Sequence, residues 1–597
     1  MIHARFILLF CVVLLAGAVR AATEEPRTRQ KIKSVVIEGN EAFSDRRLKR
    51  LMLTRPHRFY SRSYYYPEVL QDDIRNLVLF YQLNGYLEAA VSDYIVDVDS
   101  IKNQARIEIT LVEGEQTFIE GIGIFGAAAF SDSLILERIG VRKGDPFRRK
   151  KIQDGVLSIL SLYADHGYFD AEVIPDIRIN SETHRALVDI NIKEKWQSRV
   201  ADIRIEGLEK TRDRIVTREL SFRHGEVARY SRLLESQRLL YLTGLFQSVF
   251  IRPVSTAERD SMVKDILIDL KENESLEMNF YVGYGSVERG RARIELFNNN
   301  VAGSARKLGV APYVSFISYG VETSFSEPRT FGLRWRTDLN MIYGYREEPT
   351  YDIERIGGRI VLGRTFIRRS TISLAYRYEK SDLSNVKVII NAGELENDIR
   401  SLKLALIFDT RDNLFNAQQG LYMEWSNELA GSFLQGSEDF YKLLWRFKYH
   451  HPVGQSTVLA CALETGWTDY FGQSTEVPLN ERFYLGGPNV LRGFDYRMVG
   501  PLDDKGEPLG GNFVIAVNLL EIRRVIYKMF GGVLFVDVGN VWEGIDNFDI
   551  SDIRSAAGIG LRANTPIGIV RCDYGFNLDP QESEPSGKLY FSVGQAF

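Results

Sequence analysis

From about residue 273 to residue 597 the helical period disappears, and stretches that alternate polar and apolar residues take its place. Residues 333–343 show it well: Leu333, Trp335, Leu339, Met341 and Tyr343 fall on one side, with Arg334, Arg336, Asp338 and Asn340 on the other. Thr371–Tyr378 and Ser401–Leu406 repeat the pattern. In a soluble sandwich the apolar side would face a second sheet. In a membrane barrel it faces lipid, and the charged side lines a wet lumen. Periodicity does not separate the two, but length helps. About 325 residues are large for one sandwich, yet they accommodate roughly sixteen antiparallel strands at about ten residues per crossing. The 29 Tyr, 34 Phe and 49 Gly, against 17 Pro, fit such strands with aromatic girdles at the membrane interfaces. The expectation is an all-β transmembrane barrel over residues 273–597.

The amino terminus adds an export signal. His3 and Arg5 precede an apolar run from Phe6 to Val19, and Val19-Arg20-Ala21 supplies a small-residue cleavage site. Residues 1–22 therefore read as a signal peptide too short to span a bilayer, and no later window reaches the roughly 18 apolar residues of a membrane helix. Cys11 falls in this leader, leaving Cys461 and Cys572 far apart in strand-like runs. No disulfide or metal spacing is visible, and two buried free thiols are expected.

Between the leader and the barrel the chain repeats itself three times, at a period of about 80 residues. Each unit opens with a strand and a turn: Val35-Val36-Ile37-Glu38-Gly39, Ile122-Gly123-Ile124-Phe125-Gly126 and Ile203-Arg204-Ile205-Glu206-Gly207. Each then carries an amphipathic helix running into Gly85, Gly167 or Gly244, the position for a left-handed cap. Each closes with an alternating strand, such as Ala105–Leu111 or Asp265–Leu270. This strand–helix–helix–strand–strand order resembles POTRA (polypeptide-transport-associated) domains, with units at 30–115, 116–196 and 197–272.

Residues 485–494, Leu-Gly-Gly-Pro-Asn-Val-Leu-Arg-Gly-Phe, are too rich in Gly and broken by Pro for a strand or helix interior. The tip Leu491, Arg492, Gly493 and Phe494 resembles the inward-folded loop of the outer-membrane-protein assembly family (BamA/TamA type). Asp409, Arg411 and Asp412, with Gly420 further on, resemble that family's Asp-x-Arg-Asp hairpin. Ala556–Gly560 leading to Thr565–Gly568 resembles its penultimate hairpin, and Phe591–Phe597 its closing strand. The resemblance covers nearly the whole mature chain, and three POTRA units match the TamA-type branch in layout.

The resemblance implies that Arg492 reaches Glu521 and Asp537 on the barrel wall. It also implies a lateral seam between the first strand, with Gly283 and Gly285, and the last, with Gly594 and Phe597. The implied function is a bacterial outer-membrane assembly or translocation factor that inserts client β-barrel or autotransporter proteins. Its POTRA arm would lie in the periplasm. Unfolded clients, outer-membrane lipids and a periplasmic or inner-membrane accessory protein would be its partners. Two other readings stand beside it: a two-partner-secretion-type polypeptide exporter and a passive outer-membrane pore. The former family generally carries two POTRA units and a plug helix, and a passive pore has no need of three periplasmic modules.

No nucleophile elbow, phosphate loop or His/Cys metal spacing occurs. His450 and His451 are adjacent in a strand-like run and should face opposite sides. Neither an enzyme activity, a cofactor nor a metal is expected, and a net charge of −4 gives no basic field for nucleic acid.

Overall fold

The computed structural model describes residues 30–56, 63–254, 262–367, 369–389, 395–414, 416–454, 456–565, 568–582 and 584–593. The proposed signal peptide, Pro566 and Ile567 of the penultimate hairpin, and the seam residues Gly594 and Phe597 lie outside them.

Each of the three repeats folds as the sequence order predicts. The first has β1 (Lys31–Glu38), α1 (Asp45–Leu51), α2 (Pro67–Leu83), β2 (Ala90–Asp99) and β3 (Gln104–Val112). The second has β4 (Phe118–Phe125), α3 (Asp132–Ile139), α4 (Arg149–Asp165), β5 (Glu172–Asn180) and β6 (Arg185–Lys193). The third has β7 (Arg199–Glu206), α5 (Asp213–Thr217), α6 (Tyr230–Leu242), β8 (Phe246–Val254) and β9 (Val263–Glu272). The last strand of each unit sits in the middle of its sheet, in orders β1-β3-β2, β4-β6-β5 and β7-β9-β8. The first strand runs parallel to that central strand in the first two units. Strict alternation on β3, with Ala105, Ile107, Ile109 and Leu111 buried, packs one face against Leu70, Leu77 and Tyr81 of α2. β6 does the same toward Ile152, Ile159 and Tyr163 of α4.

Two repeated contacts tie each unit to itself and to the next element of the chain. A glutamate at or just past the end of each central strand accepts hydrogen bonds from backbone amides of the loop after the first strand. Glu113 takes Ala42 N at 3.0 Å, Glu194 takes Ala128 N and Ala129 N at 2.7 and 2.8 Å, and Glu272 takes Thr211 N at 2.8 Å. In the first two units a helix tyrosine, Tyr81 or Tyr163, donates its hydroxyl to the same carboxylate at 2.7 Å. The glycine after each long helix has positive φ, +99° at Gly85 and +93° at Gly167. Its carbonyl also joins it to the next element: Gly85 O accepts from Thr117 N and Gly167 O from Ser198 N, both at 2.8 Å. Gly244 O accepts from Asn273 Nδ2 at 2.9 Å, three residues before the barrel begins.

The barrel runs β10 (Leu276–Gly285), β11 (Arg289–Val301), β12 (Arg306–Ser315), β13 (Ser318–Glu327), β14 (Arg336–Glu347), β15 (Asp352–Ile367), β16 (Ser370–Ser384), β17 (Glu396–Asp409), β18 (Gly420–Ala430), β19 (Phe440–Val453), β20 (Thr457–Tyr470), β21 (Phe513–Tyr527), β22 (Phe530–Trp542), β23 (Arg554–Thr565), β24 (Gly568–Asn577) and β25 (Gly587–Val593). These sixteen described strands pair in sequence order, antiparallel throughout, and β25 closes back on β10. Met341 and Tyr343 are exposed on the outer face as the alternation requires. The strand containing them begins only at Arg336, however. Thr330 N donates to Trp335 O at 2.8 Å and closes a tight turn, so Leu333 and Trp335 precede the strand rather than belong to it. Cys461 and Cys572 are free and half-buried rather than buried, because both sit on strands of the barrel wall rather than between two packed layers. His450 is buried and its neighbour His451 exposed, as opposite faces demand.

By compactness the chain divides into two units. One comprises the described residues up to Arg204 with Ser221–Ser236 and Ile251–Leu267. The other comprises Ile205–Leu220, Gln237–Phe250 and the described residues from Ile268 onward. Part of the third repeat thus belongs with the barrel, and the contacts within that unit explain it. Asn300 Nδ2 donates to Thr211 Oγ1 at 2.8 Å, Arg212 N donates to Gly303 O at 3.0 Å, and Arg329 Nε donates to the buried Glu219 carboxylate at 3.0 Å. A Cβ on Gly303 would lie 2.0 Å from Lys210 O, so the β11–β12 turn meets this loop backbone to backbone.

The arm should respond to change at these contacts in a defined way. Gly167→Val should lower thermal stability of the repeats by about 1–2 kcal/mol from the left-handed backbone alone. The Cβ would also lie 2.8 Å from Val227 Cγ1. Burial alone pushes the Glu194 carboxyl up, but hydrogen bonds from the Ala129 and Ala128 amides and the Tyr163 hydroxyl outweigh it and hold the group below its ordinary 4.5. A depressed carboxylate stabilises the fold above its unfolded value, and that stability is lost as pH falls through the folded one. The fall in melting temperature between about pH 6 and about pH 3 should therefore be smaller in Glu194→Gln than in the parent, as calorimetry would read.

Candidate functional site: the lumenal loop and the barrel seam

The connection between β20 and β21, residues 471–512, folds into the barrel. Its apolar anchors are Leu485, Leu491, Phe494 and Val499, which pack against Val514, Ala516, Val541 and Ala556 of the wall. Gly493 has φ +102°, and a Cβ there would meet Ala556 Cβ at 3.1 Å. The wall is shaved to match: a Cβ on Gly575 would lie 2.5 Å from Gly493 N. Small residues on β23 and β24 thus let the loop backbone lie directly on the strands.

This seat delivers Arg492 to an acidic pair. Its Nε and Nη2 donate to the two oxygens of Asp537 at 2.7 and 2.8 Å, and its own amide adds a bond of 3.2 Å. Nη1 lies 2.8 Å from Glu521 Oε2. The guanidinium carbon stands 3.4 Å from the centroid of the Phe535 ring. Arg492 is 5% exposed and Asp537 0%. A planar fork satisfies two carboxylates and stacks on an aromatic face at once, which a lysine ammonium cannot do. The group borders a lumenal cavity of about 630 Å³.

Sequence reading missed three supporting residues. Asn518 Nδ2 bridges Asp537 Oδ1 at 2.8 Å and Val490 O at 3.1 Å, joining wall to loop. Asn518 and Glu521 are an odd number of residues apart and should face opposite sides of a regular strand. A register shift between Asn518 and Leu520 restores both to the lumen and leaves Leu519 and Leu520 together on the outer face. Two adjacent leucines breaking the alternation were the available signal. Arg523 Nε holds the other Glu521 oxygen at 2.6 Å. The third, Glu481, is 7% exposed and makes a second ionic seat on a different arc of wall, with Arg377 Nη1 at 2.9 Å and Lys442 Nζ at 3.2 Å.

The hairpin residues lie elsewhere. Arg411 forks onto Asp409 at 3.0 and 2.9 Å, and Asp412 Oδ1 accepts the amides of Asn413 and Gln418 at 2.9 and 3.0 Å. They shape the β17–β18 turn and take no part in the loop seat.

The seam joins the first barrel strand to the last, with Tyr284 opposite Val593 and Gly285 opposite Ser592. Just past Gly285, Ser286 adds a clasp: its amide donates to Phe591 O at 3.0 Å and Phe591 N donates to Ser286 Oγ at 2.7 Å. A Cβ on Gly283 would lie 2.8 Å from Val593 O, so glycine permits a close strand approach there, while Gly285 has open space around it.

A model of the Omp85 superfamily domain matches residues 300–597, and a POTRA model described as a surface antigen variable number repeat matches 30–114, 117–195 and 198–273. The chain belongs to the Omp85 superfamily. Among similar Omp85 proteins, the outer membrane protein assembly factor BamA of Nitratidesulfovibrio vulgaris is 26% identical, over 98% of this chain and 75% of that protein. BamA of Neorickettsia risticii is 25% identical, over 95% and 78%. The crystal structure of Haemophilus ducreyi BamA lacking POTRA domains 1–3 shares the fold, with a TM-score of 0.71 and 21% identity over 80% of this chain and 99% of that one.

In this Omp85 chain, truncating Arg492 would strand two carboxylates beside each other, a costlier change than losing the pair as a whole. Arg492→Ala should destabilise the loop seat by about 3–5 kcal/mol, with Arg492→Lys recovering only part. In a double-mutant cycle read by loop protease sensitivity, Arg492→Ala and Asp537→Ala should be strongly non-additive. Additive effects would mean that the ion pair does not hold the loop.

Proposed function

We propose that this chain is a bacterial outer-membrane assembly and translocation factor that inserts client β-barrel or autotransporter proteins through the seam between β10 and β25. The observation that carries this reading is a closed Omp85 barrel preceded by three POTRA repeats, in which β10 and β25 meet as first and last strand. A client strand entering hydrocarbon with unpaired backbone groups loses several kcal/mol for each, and a parted seam offers it partners beforehand. The names of the BamA relatives support the assignment. The barrel sits in the outer membrane and the POTRA repeats in the periplasm. The edge strands β2 and β5, exposed over much of their length, offer sites where extended clients or an accessory protein could add a strand. The Arg492 seat keeps the loop inside the barrel while the seam works, and Asp409, Arg411 and Asp412 hold a hairpin turn.

Gly285 and Ser592 face each other in the close, non-hydrogen-bonded type of antiparallel pair, which suits a disulfide. In a background with Cys461 and Cys572 replaced by serine, Gly285→Cys with Ser592→Cys should block client insertion into proteoliposomes when oxidised and recover when reduced. The unheated protein should still migrate faster than the boiled form. Full activity of the oxidised protein would overturn insertion through the seam.

A further inference from the structure

Four consecutive loop residues just past Arg492-Gly493 reach both sides of the seam. Phe494 O accepts the hydroxyl of Tyr590, and Asp495 pairs with Lys588; both partners are on β25. The next two residues turn the other way. Tyr496 Oη lies 3.5 Å from Arg346 Nη2, and Arg497 Nη2 lies 3.3 Å from Glu348 Oε1. Arg346 holds the same Glu348 oxygen at 2.7 Å and reaches Glu288 Oε1 at 3.0 Å. Glu288 closes the β10–β11 turn, two residues from the Ser286 that clasps Phe591. Glu348 is 5% exposed at its side chain, so this chain of charges is a packed connection rather than a solvated one. Antiparallel order puts the β10–β11 turn, the β14–β15 turn and the loop at the same end of the barrel, so one short segment meets β25 directly and the β10–β11 turn through Arg346.

We propose that Phe494–Arg497 is a latch across the seam, so that withdrawal of the loop from its Arg492 seat and the parting of β10 from β25 are one coupled transition. The inference rests on the seam reading above and adds what governs it. A bound loop ties the last strand through Lys588 and Tyr590 and the first hairpin through Glu288. Neither strand moves away from the other without breaking one set. Coupling of this kind is reciprocal: whatever loosens the loop loosens the seam, and a locked seam protects the loop. Tyr590, Lys588, Arg346 and Glu288 are thereby positioning residues for the seam. They act on it through the loop, not by touching a client.

The test uses the full chain in lipid nanodiscs, with hydrogen exchange read at Tyr284–Arg291 and Lys588–Val593 and protease cleavage read in the loop. Arg492→Ala touches neither seam strand, yet it should speed exchange at Ser286 and Phe591 by about fivefold or more, the effect of losing about one net hydrogen bond. Tyr590→Phe, which removes only a hydroxyl, should do the same and also speed loop cleavage. It serves as the second variant if Arg492→Ala does not give a heat-modifiable barrel. Oxidised Gly285→Cys with Ser592→Cys should slow loop cleavage. A loop that is cut faster while the seam exchanges at the parent rate would overturn the latch and leave the seam itself untouched. An oxidised seam that still inserts clients would instead overturn the proposed function, whatever the exchange data say.

Discussion

Hydrocarbon offers no partner to a backbone amide, and this constraint shapes the whole carboxyl-terminal half of the chain. Sixteen described strands satisfy one another in sequence order, so the only join made by residues distant in sequence is that between β10 and β25. That join carries the whole topological cost of closure. It is supplemented by the Ser286 clasp and by two loop groups, the Phe494 carbonyl and the Asp495 carboxylate, which Tyr590 and Lys588 of β25 meet.

The loop is held by charge in a place where charge is expensive to strand. Arg492 has three bonds to Asp537 and one to Glu521, and Asn518 supplies Asp537 with a further donor. Glu481 makes the complementary arrangement, an acid between two cations. The two seats have opposite sense, so neither leaves a net buried charge of one sign on the loop. A well-satisfied buried ion group contributes more to choosing one conformation than to raw stability. That suits a segment which must return to one position after each excursion.

Much of this was legible in the sequence, and what was not has identifiable causes. Period-two alternation over residues 273–597 announced the barrel, and the thrice-repeated strand–helix–helix–strand–strand order announced the arm. Arg492 stood out because Leu491-Arg492-Gly493-Phe494 resembles the family's inward-folded loop, a resemblance that also implied Glu521 and Asp537 as its partners. The partners Asn518 and Arg523 were hidden because a bulge moves one of them across the sheet, and no bulge can be read from alternation without knowing which face is which. Glu481 was hidden because acids in polar loops are common and its cations come from β16 and β19, far away in sequence. Leu333 and Trp335 were drawn into a strand that starts later, since a turn residue can continue an alternation by accident. The repeated glutamates Glu113, Glu194 and Glu272 could have been found by aligning the three repeats end to end.

Those glutamates distinguish units that otherwise look alike. In the first two repeats the carboxylate is steadied by a tyrosine four residues before the helix-ending glycine, Tyr81 or Tyr163. The third repeat has Leu240 at that position, and its loop is clasped by Glu272 through Thr211 instead. Thr211 accepts a hydrogen bond from Asn300 of the barrel, and the adjacent backbone lies against Gly303. The same loop that merely closes a domain in the first two repeats has become a joint in the third. Three copies of one module have therefore ceased to be interchangeable parts. Their order along the chain is a property of the fold, and an arm lengthened by duplication could grow only on the amino-terminal side of the third repeat.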